Sequence, residues 1–528
     1  MMLIILQNFL KLFIMTTILY LIPLMSGVSQ VKKDRFFLKK LEYANYEFEN
    51  ENYHTALPLF IELYSIDSSD LEITYKLGVC LFYVRKESLE AIKFFEKTKN
   101  FFPNSYYYLG RLYHLEQNFE KAIDYYNKAL MYRKLGENVT FDEEEINFFK
   151  EKSLIAKEII SKPTNAFIWN LTDINTVYAE YAPVVSNDQK LIFFTSRRKG
   201  STGNKLDFYL EYYEDIYLAK KNDSAGKYDI INVGETINTN LHDATLYLSP
   251  NSDTLYFFRT SPSLVSGNVY FTIIRNGELS VPQKVDINFG KGTVYSLCFS
   301  SDGETIYYSS DMEGGFGGKD IWRITKLPNN QWSLPYNLGP LINTPYDEDS
   351  PFISSDGKTL YFSSKGHKNI GGYDIFKSNL DEMGKWGKPI NLGYPINSVY
   401  DDIHFQILSD NKSFYFASNR AESIGNQDIY KGMFFDPFKD YIIFKGIVLS
   451  EDLQPLQATI TVIDIKTKEI QGTYRSNKKG NFITVFYPNK TYKIIVESEG
   501  YLPYFTTIEI GTEDNENLNT IEKIILKK

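Results

Sequence analysis

Two cysteines in 528 residues, Cys80 and Cys298, are too few and too far apart in the chain to build a disulfide framework. Each reads as a small buried apolar residue. The five histidines, at 54, 114, 242, 367 and 404, stand one by one, so nothing matches the tight His and Cys spacing of a zinc site, and no metal or other cofactor is expected. His114 falls in a helical segment and His367 in a loop, where it reads as solvated. The net charge of -9 is mild for this length and no Lys and Arg run follows a helix face, which argues against a nucleic-acid partner. There is no Gly-x-Ser-x-Gly elbow and no phosphate-binding Gly-rich loop before Lys-Ser/Thr, so a serine hydrolase and a P-loop nucleotidase are not expected.

What the chain has in quantity is one repeated phrase. SNDQKLIFF (186 to 194), SPNSDTLYF (249 to 257), SSDGETIYY (300 to 308), SSDGKTLYF (354 to 362) and LSDNKSFYF (408 to 416) align without gaps, at steps of 63, 51, 54 and 54. A second phrase follows each: Asp215-Ile216-Tyr217, Asn268-Val269-Tyr270, Asp320-Ile321-Trp322, Asp374-Ile375-Phe376 and Asp428-Ile429-Tyr430. Asp and Gly suit a tight turn, because Asp bonds to backbone two residues on and Gly accepts positive φ. A catalytic motif is used once and a structural unit many times. Four strands per unit at a period of about 50 residues predicts a β-propeller over 165–435. Before the first copy lies an outer-strand phrase, AFIWNLTDINTVYAEY (166 to 181), and the last copy ends without one. The simplest closure lets the N-terminal strand complete a fifth blade; six blades is the alternative if a divergent one lies in residues 200 to 245.

Over 36–161 the apolar period lengthens from two to nearly four. YYLGRLYHLEQNFEKAIDYYNKAL (107 to 130) places Leu109, Gly110, Tyr113, Ala122, Tyr126 and Ala129 at the offsets of a tetratricopeptide repeat, and Gly78, Ala91, Phe95 and Pro103, then Ala44, Ala56 and Phe60, repeat them at spacings near the expected 34. Small residues there let paired helices approach, and EEEINFFKEKSLIAKEII suits a capping helix. After Lys439, alternation at Ile460, Val462, Asp464 and at Tyr492, Ile494, Val496, with turns at 477–480 and 488–490, predicts a small β-sandwich over 442–528. Gly446, Val448, Pro455, Leu456, Ala458, Gly480, Phe482, Gly500 and Tyr501 add a pattern that resembles the carboxypeptidase regulatory-like domain. The expected fold is therefore a multidomain α + β chain of helical repeats, propeller and sandwich. At the start, Lys11, the apolar stretch from Leu12 to Met25, and Gly27 and Ser29 read as a signal peptide over 1–29, with an uncleaved anchor as the alternative.

The order of these parts, with S-x-D-G-x-x-L-Y-F, G-G-x-D-I-Y and Y-Y-L-G-x-x-Y-H-L as they stand here, resembles periplasmic proteins of the type IX secretion and gliding machinery that carry tetratricopeptide repeats, a TolB-like (PD40, WD40-like) propeller, a regulatory-like sandwich and an OmpA-type domain. The resemblance spans roughly 36 to 528. It implies a periplasmic, outer-membrane-associated scaffold whose helical groove and propeller face hold envelope or secretion-system proteins. The sequence stops at NLNTIEKIILKK without the OmpA-type segment, so direct peptidoglycan binding is not expected to carry over.

One constellation invites a site. The residues entering the innermost strands are Glu180, Asp243, Val294, Glu348 and Asp402, four carboxylates at one level, expected to form a broken acidic ring at a channel mouth that takes a cation or a basic peptide segment. The competing expectation is that each acid bonds to backbone in its own loop. The enzyme alternative is an exported, sialidase-like glycan hydrolase, which needs a placed carboxylate pair; neither such a pair nor a non-repeated cluster of Arg, Tyr and Glu is visible in the alignment.

Overall fold

A computed structural model describes residues 34–84, 88–207, 210–222, 227–435, 442–487, 490–511 and 522–528. The expected signal peptide (1–29) lies outside them. The chain divides into two compact units, one up to residue 151 and one from 152 onward.

The first unit is helical: α1 (Arg35–Glu49), α2 (Tyr53–Ile66), α3 (Leu71–Val84), α4 (Ile92–Thr98), α5 (Asn104–Leu115), α6 (Phe119–Lys134) and the start of α7 (Glu143–Ile160). Asp34 caps α1 by accepting the Phe37 N–H, and Asn118 caps α6 by accepting that of Lys121. From α1 to α6, each helix packs on the next. Their core is aromatic: Phe60, Phe95 and Tyr126 are fully buried, and Phe95 stacks on Tyr108 with centroids 4.6 Å apart. Glycine sets the approach of α5 to α6, since a Cβ on Gly110 would lie 2.5 Å from the Tyr126 ring. Among the described residues no helix is long and apolar enough to cross a membrane.

The second unit is a propeller-like array followed by two further sheets. β1 (Ala166–Asn170) comes first. The first sheet is β2 (Glu180–Val185), β3 (Leu191–Ser196), β4 (Asp215–Asn222) and β5 (Lys227–Asn232). The second is β6 (Asp243–Leu248), β7 (Thr254–Thr260) and β8 (Gly267–Arg275), with β9 (Glu278–Leu279) and β10 (Gln283–Lys284) both on β8. The third is β11 (Val294–Phe299), β12 (Thr305–Ser310), β13 (Asp320–Thr325) and β14 (Tyr336–Asn337). The fourth is β15 (Glu348–Ile353), β16 (Thr359–Ser364), β17 (Asp374–Asn379) and β18 (Ile390–Asn391). The fifth is β19 (Asp402–Ile407), β20 (Ser413–Ser418) and β21 (Asp428–Phe434), with β1 as its outer strand, antiparallel to β21.

Each first strand touches that of the next sheet, from β2 through β6, β11 and β15 to β19, and β19 returns to β2. The two ends are joined by hydrogen bonds as well. The Gln406 side chain accepts from Val185 N–H at 2.9 Å and donates to the Val185 carbonyl at 3.1 Å.

The repeated turn is built as its residues require. Asp188, Asp302 and Asp356 each accept from the serine two residues before and from the backbone N–H two residues after. Those bonds hold all three carboxyls below the usual range. The residue after the turn Asp or Asn is left-handed in every one of the five sheets: Gln189, Ser252, Gly303, Gly357 and Asn411, at φ between 53° and 72°.

The remaining strands form β25-β22-β28 and β24-β23-β26-β27, from β22 (Ile442–Ser450), β23 (Thr459–Asp464), β24 (Ile470–Arg475), β25 (Asn481–Phe486), β26 (Lys490–Glu497), β27 (Tyr504–Ile510) and β28 (Glu522–Leu526). β28 runs parallel to β22. Ile460, Val462, Tyr492, Ile494 and Val496 alternate into the core with Phe444 and Phe486. Part of the 488–490 turn lies outside the described residues.

Candidate functional site

The four acids expected at the channel mouth are fully buried, each opening an inner strand and bonded back to the inter-sheet loop before it. Thr176 donates to Glu180 through its N–H (2.7 Å) and hydroxyl (2.8 Å); Thr239 does the same for Asp243, Thr344 for Glu348 and Ser398 for Asp402. Three acids also meet an arginine: Arg198 on Glu180 (3.2 Å), Arg259 on Asp243 (2.6 Å) and Arg420 on Asp402. Each of these guanidiniums lies over two aromatic rings, as Arg198 does over Phe194 and Tyr217, and each donates to a loop carbonyl: Ile174, Ile237 and Ile396.

Among the described residues Glu348 has no arginine partner: Gly366 stands where Arg198 and Arg420 do, and Ser364 at the register of Arg259. Burial raises its carboxyl to about 7, opposed by the Ser364 and Thr344 bonds. His367 takes over the arginine's other contact, its Nε2 2.8 Å from the Ile342 carbonyl and its ring against Phe362 and Phe376. It is a packed residue, not the solvated one expected, and burial lowers its pKa.

The same loops hold an asparagine clamp. Asn175, Asn238, Asn343 and Asn397 each accept the backbone N–H of the isoleucine in an Asp-Ile-aromatic phrase and donate to that residue's carbonyl, at 2.7 to 3.0 Å. The loop is thus a heptapeptide, INTVYAE, INTNLHD, INTPYDE or INSVYDD, in which the Asn, the Thr or Ser after it and the closing acid are all hydrogen-bonded. Between the second and third sheets it reads NFGKGTV, and Phe289, Val294 and Met312 fill that place with apolar contact.

Strand alternation sends the next residue of each inner strand toward the bore. Tyr181, Ala244, Tyr295, Asp349 and Ile403 line a cavity of about 530 Å³, together with Glu214, Lys319, Tyr373 and Asp401. Beneath it the channel tightens to about 50 Å³ between Ala182, Thr245, Ser296, Ser350 and His404. Ala182, Ser350 and His404 hold φ of 48°, 53° and 60° where the ladders are bulged, a conformation that is costly for residues with a Cβ. The Ser350 hydroxyl and His404 Nδ1 are 2.9 Å apart.

Two clusters at this mouth are not repeated around the array, contrary to the expectation from the alignment. In one, Lys319 Nζ lies 2.8 Å from Asp349 and 3.9 Å above the Tyr295 ring. Burial opposes the charge of Asp349, but Lys319 and the Ser296 hydroxyl hold its carboxyl below the usual range. In the other, Tyr181 donates to Glu214, which is 3.0 Å from His242 Nδ1, while Arg197 is held by Asp207 and Glu211. Burial and the Glu214 charge push the Tyr181 phenol well up, which keeps it protonated. Glu214, Asp349 and Asp401 against Lys319 leave the lining acidic. Among the described residues no group of three His, Cys, Asp or Glu is placed to hold a metal ion.

No family model and no curated protein matches the sequence. Solved structures similar to the chain include a putative TolB from Agrobacterium tumefaciens (14% identity, 61% of this chain and 97% of that chain, TM-score 0.30). A glycoside hydrolase (9%, 56% and 96%, TM-score 0.37) and an alpha-L-arabinofuranosidase from Lactobacillus brevis (8%, 50% and 94%, TM-score 0.33) are also similar.

Proposed function

We propose that this chain is a non-catalytic binding scaffold of the cell envelope, with the five sheets as five propeller blades closed by β1 and the helical unit as a tetratricopeptide array. Its place is the periplasm, beside outer-membrane or type IX secretion components, as the motif order of its sequence implies. The propeller mouth receives a basic segment of a protein partner. The observation that carries this reading is a cavity lined by Glu214, Asp349 and Asp401 against Lys319 alone, whose excess of carboxylates suits a Lys or Arg side chain.

The other reading, an exported glycan hydrolase, draws on the Tyr181–Glu214 pair beside Arg197. Against it stand the raised Tyr181 pKa and the engagement of Arg197 by two carboxylates and the Tyr212 carbonyl.

The test is titration of the full chain with a Lys-Gly alternating peptide and a Glu-Gly control. Binding of the first alone, weakened severalfold in Asp401→Asn and by salt, is expected. Equal binding of both peptides, or sugar release from envelope glycan that disappears in Tyr181→Phe, overturns the scaffold reading.

A further inference from the structure

A second cavity, of about 460 Å³, lies away from the mouth, between the outer strands of the first and fifth sheets and the β24 side of the sandwich. Trp169, Tyr228 and Tyr474 give it flat apolar walls. Lys221 and Lys431 both face it. Lys221 is 3.6 Å from Glu469. Lys431 differs: among the described residues no carboxylate lies within ion-pair distance, and its ammonium instead stands 5.7 Å from the Trp169 ring and 5.6 Å from that of Tyr415. On the opposite wall, Gln471 donates through its amide nitrogen to the Val485 carbonyl at 2.7 Å, while its buried Oε1 has no hydrogen-bond partner among the described residues. A buried amide oxygen without a donor and a largely buried ammonium without an anion are both costly, and both residues line the same cavity.

We propose that this cavity binds a small anionic ligand, carrying a carboxylate for Lys431, a flat ring for the aromatic walls and a hydroxyl that donates to Gln471 Oε1. The site is independent of the propeller mouth. The charged groups acting on Lys431 are Lys221 on β4, Asp410 in the turn before β20 and Glu469 before β24; Asp173 and the Asp464–Lys490 pair (2.7 Å) also line the cavity. Burial, with Lys221 helping, lowers its pKa to about 8, against the pull of Asp410 and Glu469. An unfilled site therefore holds an amine that loses its proton just above neutrality, and an anion bound there would bring the proton back.

The experiment is calorimetric titration of the full chain with para-(hydroxymethyl)benzoate, with the uncharged para-(hydroxymethyl)benzamide as control. The benzoate is expected to bind, and to bind about tenfold more weakly at about pH 9 than at about pH 6.5, following the protonated fraction of Lys431. Lys431→Met should abolish binding and Lys431→Arg should retain it without the pH dependence. No binding of the benzoate to the wild type, equal binding of the benzamide, or a pH-independent affinity would overturn the site, and the pH series needs no variant to fold.

Discussion

The Ser364 hydroxyl donates to the Glu348 carboxylate across 2.6 Å, at the register where the first strand of a sheet faces the end of its second. In the preceding sheet Ser310 stands at that register opposite Val294, and its buried hydroxyl has no hydrogen-bond partner among the described residues. One serine is thus part of a polar loop and the other is left over from it.

Removing each hydroxyl should give opposite results. Ser364→Ala takes a donor from a buried carboxylate and should cost about 1 to 2 kcal/mol. Ser310→Ala relieves an unsatisfied group and should leave stability within about 0.5 kcal/mol of wild type, or raise it. Urea midpoints of the two variants decide it. Equal losses would mean that Ser310 does have a partner.

The asparagine clamp should weigh more than any single hydroxyl. Asn397→Ala strands both the N–H and the carbonyl of Ile375 in a fully buried setting, at a cost of about 2 to 4 kcal/mol. Asn397→Asp keeps the acceptor for Ile375 N–H, and keeps an O–H donor for the Ile375 carbonyl only while its carboxyl is protonated, so at low pH it should fall between wild type and alanine. Hydrogen exchange at the Ile375 amide reads the clamp directly and should accelerate in the alanine variant.

Much of this was legible in the residues, because repetition and alternation carry it. Asp302-Gly303 and Asp356-Gly357 announce left-handed turns, and Ile460 with Val462 announces a strand with one buried face. The level of Glu180, Asp243, Glu348 and Asp402 could also be read, but their direction could not: the neighbouring residue, such as Tyr181 or Asp349, is the one that faces the bore. The heptapeptide with its Ile-Asn-Thr/Ser start and acidic end was available as a signal and would have assigned the acids to their loops. The Tyr181, Glu214 and His242 cluster was out of reach, since it joins residues from three separated segments of unequal length.

Between helices, the smallest residue should be the least replaceable. At Gly110 an added methyl would meet the Tyr126 ring at 2.5 Å, whereas at Gly78 the nearest atoms, on Phe94 and Phe95, are 3.2 Å away. Gly110→Ala should therefore destabilise the helical unit by about 2 to 3 kcal/mol through overpacking. Gly78→Ala should cost less than about 1 kcal/mol, since better helix propensity offsets a milder clash. Thermal melts of the two variants test the order; a reversal would show that Tyr126 yields more readily than Phe94 and Phe95.

At the narrow part of the bore, acid should act through His404. Burial lowers its pKa to about 4, with Asp349 pulling it up and Lys319 pushing it down. The folded value is below the unfolded one of about 6.5, so the unfolded chain binds more protons between them, and the stability His404 contributes is lost as pH falls through that window. Glu348 has the opposite sign: its folded value of about 7 lies above the unfolded one, so its term declines as pH rises from about 4.5 to 7. The two slopes oppose each other in the wild type and must be separated by difference. His404→Asn keeps a residue that tolerates φ of 60° and removes the titration. The stability gap between wild type and this variant should widen in favour of wild type by roughly 2 to 3 kcal/mol from about pH 4 to pH 6.5. A gap that stays constant across that range would mean that His404 titrates alike in the folded and unfolded chains.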